Sequence, residues 1–381
     1  MNVYLDNAAT TPMLPEVVDA MLPFMRDHFG NPSSTHAFGR KTKTSIEQAR
    51  RRIATHMGVA PKTICFTSGG TEADNMALHA AVEQLGCQRI LTCATEHKAV
   101  LATAELMAAK EGISMDLIPL LDNGKVDLKV LEDWLSDGVP TLVSVMHGNN
   151  EVGVLQDIEA IGQCCRRHGA LFHTDTVQTM GHYRMNLGDL PIDFAACSAH
   201  KLHGPKGTGF LYVRDGLRIG AHITGGSQER AMRGGTENLI GIMGLAKALD
   251  LAFHDLKDHE VHIRGLKAQL VSGIQASVPG VRFNVDSDEE DALYTVLSVN
   301  FPAHPKNGML LFLLDLEGVA CSGGSACSSG SAQPSHVLSG LGLHDPERMS
   351  IRFSFSRLTT PACIDHAIEA VRAIRKEEVQ A

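Results

Sequence analysis

The sequence predicts an α/β protein with two parts, a mostly parallel sheet between two layers of helices and a smaller α+β domain. Between about residues 60 and 215, short apolar runs alternate with helical patterns, which is typical of a parallel sheet covered on both faces. After Gly225 this alternation ends, and a long helical stretch is followed by strand, strand, helix, strand and helix. We therefore expect a large sheet-centred domain followed by a smaller one.

Six apolar runs are the predicted strands of the first part. They cover residues 64–67, 89–94, 141–147, 170–175, 193–199 and 209–214. Each of the first three precedes a helical pattern, and in the third of these patterns Ile158, Ile161 and Cys165 fall on one face. Ligands of such sheets bind beyond the carboxyl ends of the strands, so we expect a site at that edge.

The second part begins with a helical stretch over residues 239–273. Its predicted strands are VRFNV, YTVLSVNF and SIRFSFS, with a helix at NGMLLFLLDLEG and a final amphipathic helix from Pro361. We expect a large domain over residues 16–260 and a small domain formed by residues 1–15 and 261–381.

Composition excludes several classes of protein. With 44% hydrophobic and 20% charged residues, the 381-residue chain has the balance of a globular protein, not of a disordered or membrane-embedded one. A net charge of −9 argues against non-specific binding to nucleic acid or to anionic membranes. The N-terminus lacks the basic and apolar regions of a signal peptide, and charged or turn residues interrupt every apolar run. We expect a cytoplasmic protein without membrane or direct nucleic-acid partners.

The nine cysteines do not form a disulfide or zinc pattern. Their number is odd and no CxxC occurs, which excludes zinc-knuckle and thioredoxin-like sites. Most lie in apolar surroundings, which predicts small buried side chains in a reducing compartment. Cys327 differs because it lies among glycines and serines in SGGSACSSGS.

Polar residues follow the predicted strands. SGGTEADN opens a helix, and its glycines and free N–H groups suit a phosphate, although an ordinary strand–helix turn is an equal alternative. TEH, NNE and DTVQ each follow another strand, and three such clusters at one sheet edge indicate a site. Lys201, in SAHKLHGPKGTG, is either a solvated lysine or the amine that forms a Schiff base with an aldehyde cofactor. Asp175 would then suit a pyridinium nitrogen.

Nine segments spread over residues 5–357 carry a family resemblance. They are LDNAATTP, TSGGTEADN, TEHKAV, MHGNNEVG, HTDTVQ, SAHKLHGPKGTG, RGGTEN, SGGSACSSGS and IRFSFSR. Their order and spacing resemble those of the cysteine desulfurases of the NifS/IscS class. The resemblance implies the PLP-dependent transferase fold type I, with a mostly parallel mixed sheet sandwiched by helices and a small domain that carries a cysteine loop. It also implies pyridoxal 5'-phosphate (PLP) as cofactor and a homodimer.

The resemblance further implies the residues that bind PLP. Lys201 would form the Schiff base, Asp175 would pair with the pyridinium nitrogen, and His97 would stack on the ring. Gln178 and Asn150 would lie near the ring hydroxyl oxygen. The residues implied for the phosphate are Gly70, Thr71, Ser198 and His200, with Thr236 reaching the phosphate of the other subunit.

The implied reaction converts L-cysteine to L-alanine and leaves the sulfur on Cys327 as a persulfide for an acceptor protein, such as an iron–sulfur scaffold or a sulfur carrier. Arg352 would bind the substrate carboxylate in a two-pronged geometry, with Asn150 nearby. Cys321 is either buried or exchanges sulfur with Cys327, and we favour burial.

Other functions fit less well. A selenocysteine lyase or a related PLP enzyme is the nearest alternative, but an aminotransferase needs no cysteine loop. A scaffold that has lost catalysis would require a broken catalytic set, and a Rossmann dehydrogenase would require GxGxxG, which is absent. His254, Asp258 and His262 recur at a spacing of four, and we interpret them as a solvated helix face, not a metal site.

Overall fold

The computed structural model describes residues 1–323, 335–343 and 345–376 and centres on a seven-stranded mixed sheet. Elements are labelled in chain order. The seven strands are β2 (Ile64–Thr67), β3 (Arg89–Thr92), β4 (Ser114–Leu117), β5 (Thr141–Ser144), β6 (Leu171–Asp175), β7 (Phe194–Ser198) and β8 (Gly209–Val213). Their order is β2-β8-β7-β6-β5-β3-β4, and β8 alone is antiparallel to its neighbours. This arrangement confirms the predicted fold class.

Helices cover both faces of this sheet. Those of the described chain are α1 (Pro15–Arg26), α2 (Ala37–Met57), α3 (Gly70–His79), α4 (Lys98–Glu111), α5 (Leu128–Leu135), α6 (Ile158–Arg167), α7 (Leu239–His254), α8 (Leu256–Ser277), α9 (Leu310–Leu316), α10 (His336–Gly340) and α11 (Pro361–Arg375). Alternate strand residues face opposite layers, since Phe66 packs towards α2 and α7 whereas Cys65 packs towards α3. Strands buried on both faces therefore appear in the sequence as continuous apolar runs.

The second part of the chain builds two small sheets. Their strands are β1 (Val3–Tyr4), β9 (Arg282–Phe283), β10 (Val296–Phe301), β11 (Val319–Ala320) and β12 (Met349–Ser354). β10 lies between β12 and β9 in an antiparallel sheet, and β1 pairs in parallel with β11. The N-terminal strand therefore pairs with a strand more than 300 residues away along the chain.

A separate hydrophobic core in the second part of the chain supports the division that we proposed. Val3 and Leu5 pack there with buried residues of α8, β10, β12 and α11, whereas two other clusters cover the two faces of the seven-stranded sheet. The proposed limit between residues 260 and 261 falls inside α8. The buried residues of this helix begin at Ile263, and all of them except Lys267 belong to the second core. The domain limits themselves stay a proposal.

The predicted long helix over residues 239–273 is wrong in one respect, because the structure has two helices. Asp255 separates α7 from α8 with non-helical backbone angles (φ −114°, ψ 28°). His254 consequently ends one helix, while Asp258 and His262 lie on the next, so the three side chains do not share one helix face. The His262 Nε2 atom lies 2.8 Å from the Thr359 carbonyl oxygen.

No helix within the described part of the chain is long and apolar enough to cross a membrane.

Candidate active site

Five parallel strands end at the same edge of the large sheet, and a cavity of about 280 Å³ lies beyond them. The chain that leaves β2, β3, β5, β6 and β7 contributes the polar clusters found in the sequence. Ten of the predicted site residues line this cavity: Gly70, Thr71, His97, Asn150, Asp175, Gln178, Ser198, His200, Lys201 and Arg352. The structure thus brings together side chains that are up to 282 positions apart in the sequence.

Lys201 lies in a short 3₁₀ turn, Ala199–Lys201, that directly follows β7. Its Nζ atom donates hydrogen bonds to the carbonyl oxygens of Ala8 (2.5 Å) and Ala9 (2.8 Å). The Gln178 Nε2 atom donates to the same Ala8 oxygen at 3.0 Å. The LDNAATTP segment therefore forms a wall of the cavity, a role that our sequence analysis did not assign.

An anion seat lies at the beginning of α3. Its N-cap residue, Gly69, has a φ of 154° and no side chain to satisfy the first N–H groups of the helix. A Cβ atom on Gly70 would come within 2.7 Å of the Val177 Cγ2 atom, so this position requires glycine. A second pocket at this point is lined by Gly70, Thr71, Ser198, His200 and Lys206. Free backbone N–H groups, hydroxyls and an ammonium group together suit a phosphate.

His200 borders the anion seat as a neutral ring. Its Nδ1 atom lies 3.1 Å from the Thr10 hydroxyl oxygen. Burial, together with the positive charges of Lys201 and Lys206, lowers the pKa of His200 to about 4. The ring therefore offers hydrogen bonding without adding a charge at neutral pH.

Asp175 and His97 both line the cavity, and burial shifts the pKa of each. Val177 N–H donates to Asp175 Oδ1 at 2.8 Å, and burial plus the charge of Asp74 raises the pKa of Asp175 to about 7. A neighbouring cation would lower this pKa and keep the carboxylate ionised. His97 caps α4, where its Nδ1 atom accepts from the Ala99 N–H at 3.1 Å. Burial lowers the pKa of His97, so the ring is neutral and Nε2 carries the proton.

Arg352 presents a buried guanidinium to the cavity from β12, on the second core. Its side chain is only 2% exposed. Nη1 donates to the Asn150 carbonyl oxygen at 2.8 Å and Nη2 to Asp6 Oδ1 at 2.6 Å. Nε has no hydrogen-bond partner among the described residues. One edge of the guanidinium is therefore available for a carboxylate.

Cys327 lies outside the described residues. Of residues 322–331, for which the sequence predicts mobility, only Ser322 and Gly323 are described. The described residues on either side of this segment are anchored at the cavity. Ser322 pairs through its backbone with Arg352 (3.2 and 2.7 Å), and Ser335 Oγ donates to Glu151 Oε2 at 2.5 Å.

Thr236 is the predicted site residue that the structure places elsewhere. It lines a separate pocket with Ser68, Gly207, Arg233 and Glu237. Arg233 Nε donates to Glu72 Oε1 at 2.8 Å, and this contact ties the Thr236 segment to the first turn of α3. Thr236 is thus not among the residues that line the Lys201 cavity or the anion seat, although its pocket shares Ser68 and Gly207 with the anion seat.

Asp74 and Glu96 also line the cavity, although the sequence analysis did not single them out. Asp74 is 1% exposed and Glu96 is 0% exposed. Asp74 Oδ1 lies 3.4 Å from Nε2 of the fully buried His173. Asp74 lies in TEADN and Glu96 in TEH, two of the polar clusters that follow strands. Neither was singled out, because an acidic residue in a helix or turn is usually exposed to solvent.

Replacing Asp74 with asparagine is expected to flatten the pH dependence of stability of the cofactor-free protein. Burial raises the pKa of Asp74 to about 8, whereas an unfolded aspartate titrates near pH 4. Between about pH 4 and 8 the folded state therefore binds a proton that the unfolded state releases, and stability falls as pH rises. This loss, up to about 1.4 kcal/mol per pH unit, should be absent from Asp74→Asn.

Urea unfolding of both proteins at several values between pH 5 and 8 measures this difference. Histidines with lowered pKa values, such as His173 at about 4, act in the opposite direction below pH 6.5 but are present in both proteins. Parallel curves for the two proteins would contradict a raised Asp74 pKa.

The cysteines of the described chain support a packing role. Six of them, Cys65, Cys87, Cys93, Cys164, Cys165 and Cys197, are buried. Cys321 is partly buried against the second core, and this burial raises the pKa of its thiol. A thiolate is therefore disfavoured at Cys321, which supports our preference for burial over sulfur exchange.

One group of side chains has the composition of a metal site. Ligating atoms of Glu132, Cys164 and His168 lie within 4.8 Å of one another. Arg167 Nη2, however, lies 2.9 Å from Glu132 Oε1, and burial raises the pKa of the Cys164 thiol. We therefore interpret this group as a surface ion pair.

Comparison with known proteins identifies the family. The sequence profile of the class-V aminotransferases matches residues 3–366. The chain belongs to the class-V aminotransferase family. This class-V aminotransferase is 40% identical over 379 residues to the cysteine desulfurase IscS of Clostridium botulinum, covering 98% of this chain and 94% of that protein. It is therefore also a member of the cysteine desulfurase family, as the sequence resemblance predicted.

Solved structures agree with this assignment. A NifS-like protein superposes with a TM-score of 0.89 at 34% identity, covering 98% of this chain and 99% of that one. SspA, solved in complex with cysteine, gives a TM-score of 0.81 at 31% identity over 94% of this chain and 100% of that one. These neighbours confirm the predicted fold class.

Enzymes of this family depend on PLP, and the residues present fit that cofactor. The cavity supplies an amine at Lys201 for the aldehyde and a buried carboxyl at Asp175 for the ring nitrogen. The side-chain-free N-cap at Gly69 and the crowded position of Gly70 leave the helix N–H groups open to the phosphate.

Proposed function

We propose that this enzyme converts L-cysteine to L-alanine and transfers the sulfur to Cys327 as a persulfide. One observation carries the proposal. A single buried cavity holds Lys201, Asp175 and the open edge of Arg352, and both described ends of the segment with Cys327 are anchored on it. A cysteine desulfurase needs an amine, an anion beside the ring, a carboxylate receptor and a thiol within reach.

The first half of the reaction belongs to Lys201 and Asp175. When bound, PLP supplies an aldehyde carbon that condenses with amines and a ring that accommodates the electron pair released at the substrate Cα. Lys201 is positioned by the Ala8 and Ala9 carbonyls to take the Cα proton and to return it. Asp175 would place a negative charge beside the ring nitrogen, and the neutral His97 would pack against the ring.

The second half of the reaction is sulfur transfer. Arg352 holds the substrate carboxylate through its open edge and so fixes the substrate within the cavity. The Cys327 thiolate attacks that sulfur, an S–S bond forms, and the C–S bond breaks with its electron pair left on the substrate. One L-cysteine and one thiol thus yield one L-alanine and one persulfide, with atoms and electrons balanced.

The assay that tests the proposal compares Arg352→Lys with Arg348→Lys. Wild type should form equal amounts of alanine and, with a reductant present, sulfide. Lysine keeps the charge but loses the two-pronged geometry, so KM for L-cysteine should rise about 10- to 100-fold in Arg352→Lys. Arg348 binds Asn300 and the Gly280 carbonyl oxygen away from the cavity, so its variant is the matched control. Absence of alanine from wild type, or equal KM values for both variants, would contradict the proposal.

We infer that the enzyme works as a homodimer with composite sites. Thr236 lies outside the cavity of its own chain, on a segment held by the Arg233–Glu72 ion pair. A threonine hydroxyl there would serve the phosphate of the partner subunit, as the family resemblance implies.

Mixing two impaired variants at a limiting PLP concentration tests this arrangement. Lys201→Ala lacks the amine, and Thr236→Ala should weaken PLP binding about 10-fold. If Thr236 acts across the interface, one site of a mixed dimer has both an intact Lys201 from one subunit and an intact Thr236 from the other. Activity should therefore return on mixing. No recovery in dimers shown to have exchanged subunits would mean that Thr236 serves its own chain.

The persulfide requires an acceptor, and we infer a thiol-bearing protein, an iron–sulfur scaffold or a sulfur carrier, in a reducing cytoplasmic setting. The free cysteines of the described chain suit such a compartment. Capture of partners by the persulfidated enzyme, with Cys327→Ser as the control bait, tests this part; equal capture by both baits would contradict it.

A further inference from the structure

Glu96 is a buried acid whose side chain the proposed mechanism does not use. It is 0% exposed and lines the cavity. Its Oε1 atom accepts a 2.6 Å hydrogen bond from the Met146 N–H. Oε2 has no hydrogen-bond partner among the described residues. A fully buried polar atom without a protein partner is uncommon in folded proteins, and a bound water, a bound ion or a catalytic role can explain it.

The surroundings of Glu96 favour its neutral form. The charges that act on it most strongly are those of Asp175 and Asp74, which are carboxyls as well. Cys93 lies close by, and burial raises the pKa of that thiol, so it also adds no positive charge. The ring of His336 lies 2.9 Å from the main-chain carbonyl oxygen of Glu96 and not from its carboxyl group. Burial and these neighbours raise the pKa of Glu96 well above its usual value.

We propose that Glu96 is a neutral carboxylic acid whose Oε2–H donates a hydrogen bond to an oxygen acceptor of the ligand held in the cavity. Oε1 is already committed as an acceptor to Met146, which leaves the proton on Oε2. The identity of that ligand, PLP or the carboxylate of L-cysteine, rests on the proposed function.

Four buried carboxyls line the cavity, those of Asp74, Glu96, Asp175 and Glu151, and the last of these accepts a hydrogen bond from Ser335 Oγ. Negative charges on all of them at this depth would repel one another without compensation. With Glu96 and Asp74 protonated, Asp175 is the carboxyl that carries the negative charge beside the ring. Glu96 is then a positioning donor, and Asp175 is the counter-ion.

Infrared difference spectroscopy tests the protonation state without any ligand. Glu96→Gln is the matched variant, because its amide keeps an acceptor at Oε1 and a donor at the Oε2 position. Cofactor-free wild type minus Glu96→Gln at neutral pH should show a carboxylic-acid carbonyl band that shifts in D₂O. Asp74→Asn should remove a different band. A difference spectrum that shows carboxylate bands instead would overturn the proposal, whatever the activity of the enzyme.

Ligand titrations test the hydrogen bond itself. Glu96→Met removes the donor with little change of volume, and it should weaken binding of one ligand about 3- to 10-fold, whereas Glu96→Gln should stay within about 2-fold of wild type. PLP is titrated into the cofactor-free proteins, and L-alanine, an unreactive carboxylate ligand, into the loaded ones. Weakening for PLP alone assigns the acceptor to the cofactor, and weakening for L-alanine alone assigns it to the substrate.

Unchanged affinity of folded Glu96→Met for both ligands would overturn the proposal. If this variant does not fold, the Glu96→Gln infrared spectrum still decides the protonation state. Failure of wild type to make alanine from L-cysteine would refute the proposed function but would leave the infrared result standing.

Discussion

Lys201→Ala is expected to lower the rate of alanine formation from L-cysteine by at least about 10³-fold. The variant loses both the amine that attaches the cofactor and the group that moves the Cα proton. In the wild type, the Ala8 and Ala9 carbonyls hold the Lys201 amine in place. The alanine side chain of the variant offers no amine at this point of the cavity. Lys62→Ala is the matched control, since Lys62 is 61% exposed and pairs with Asp215 on the surface.

Cofactor attachment gives this prediction a second measurement. Borohydride reduction of wild type followed by peptide mapping should place PLP on Lys201. Reduced cofactor on another lysine, or a Lys201→Ala rate within tenfold of wild type, would contradict the assignment.

Cys327→Ser should abolish alanine and sulfide release while leaving cofactor binding intact. Serine keeps the size of the side chain, but its hydroxyl is a poor nucleophile towards sulfur and does not hold a persulfide. The variant should still bind PLP and L-cysteine, because neither role involves Cys327. Visible absorbance follows binding, and chromatography follows alanine, with an expected loss of at least about 10³-fold.

Cys321→Ser is the control for Cys327→Ser. Cys321 packs against the second core and its thiol is held protonated by burial, so this variant should keep its rate within about threefold and lose some stability. If Cys321→Ser lost activity and Cys327→Ser kept it, Cys321 would be the nucleophile.

Much of the fold was predictable because its strands are buried on both faces and therefore stand out as apolar runs. β4 was missed because it is an edge strand with mostly exposed side chains, and its sequence, SMDL, has no apolar run. The break at Asp255 was missed because the helical pattern continues through it. A break that involves only the backbone angles of one residue does not alter the spacing of apolar residues in the sequence.

The site was predictable where function needs a particular side chain and invisible where it uses the backbone. Lys201 and Asp175 follow strands whose common edge the fold class implies. The Ala8 carbonyl, 193 positions from Lys201, carries no side-chain signal, and its place depends on the pairing of β1 with β11. Glu96 needed its burial and its unpartnered oxygen to be seen, and neither is a property of the sequence.

Peptide mass spectrometry after exposure to L-cysteine labelled with heavy sulfur tests the central claim most directly. The enzyme is mixed with labelled substrate, its thiols and persulfides are alkylated, and the cysteine peptides are compared with those of Lys201→Ala. We predict one added heavy sulfur atom on the peptide with Cys327 in wild type, and none in the variant. Heavy sulfur on Cys321 instead, or alanine formation without added sulfur on Cys327, would contradict the account.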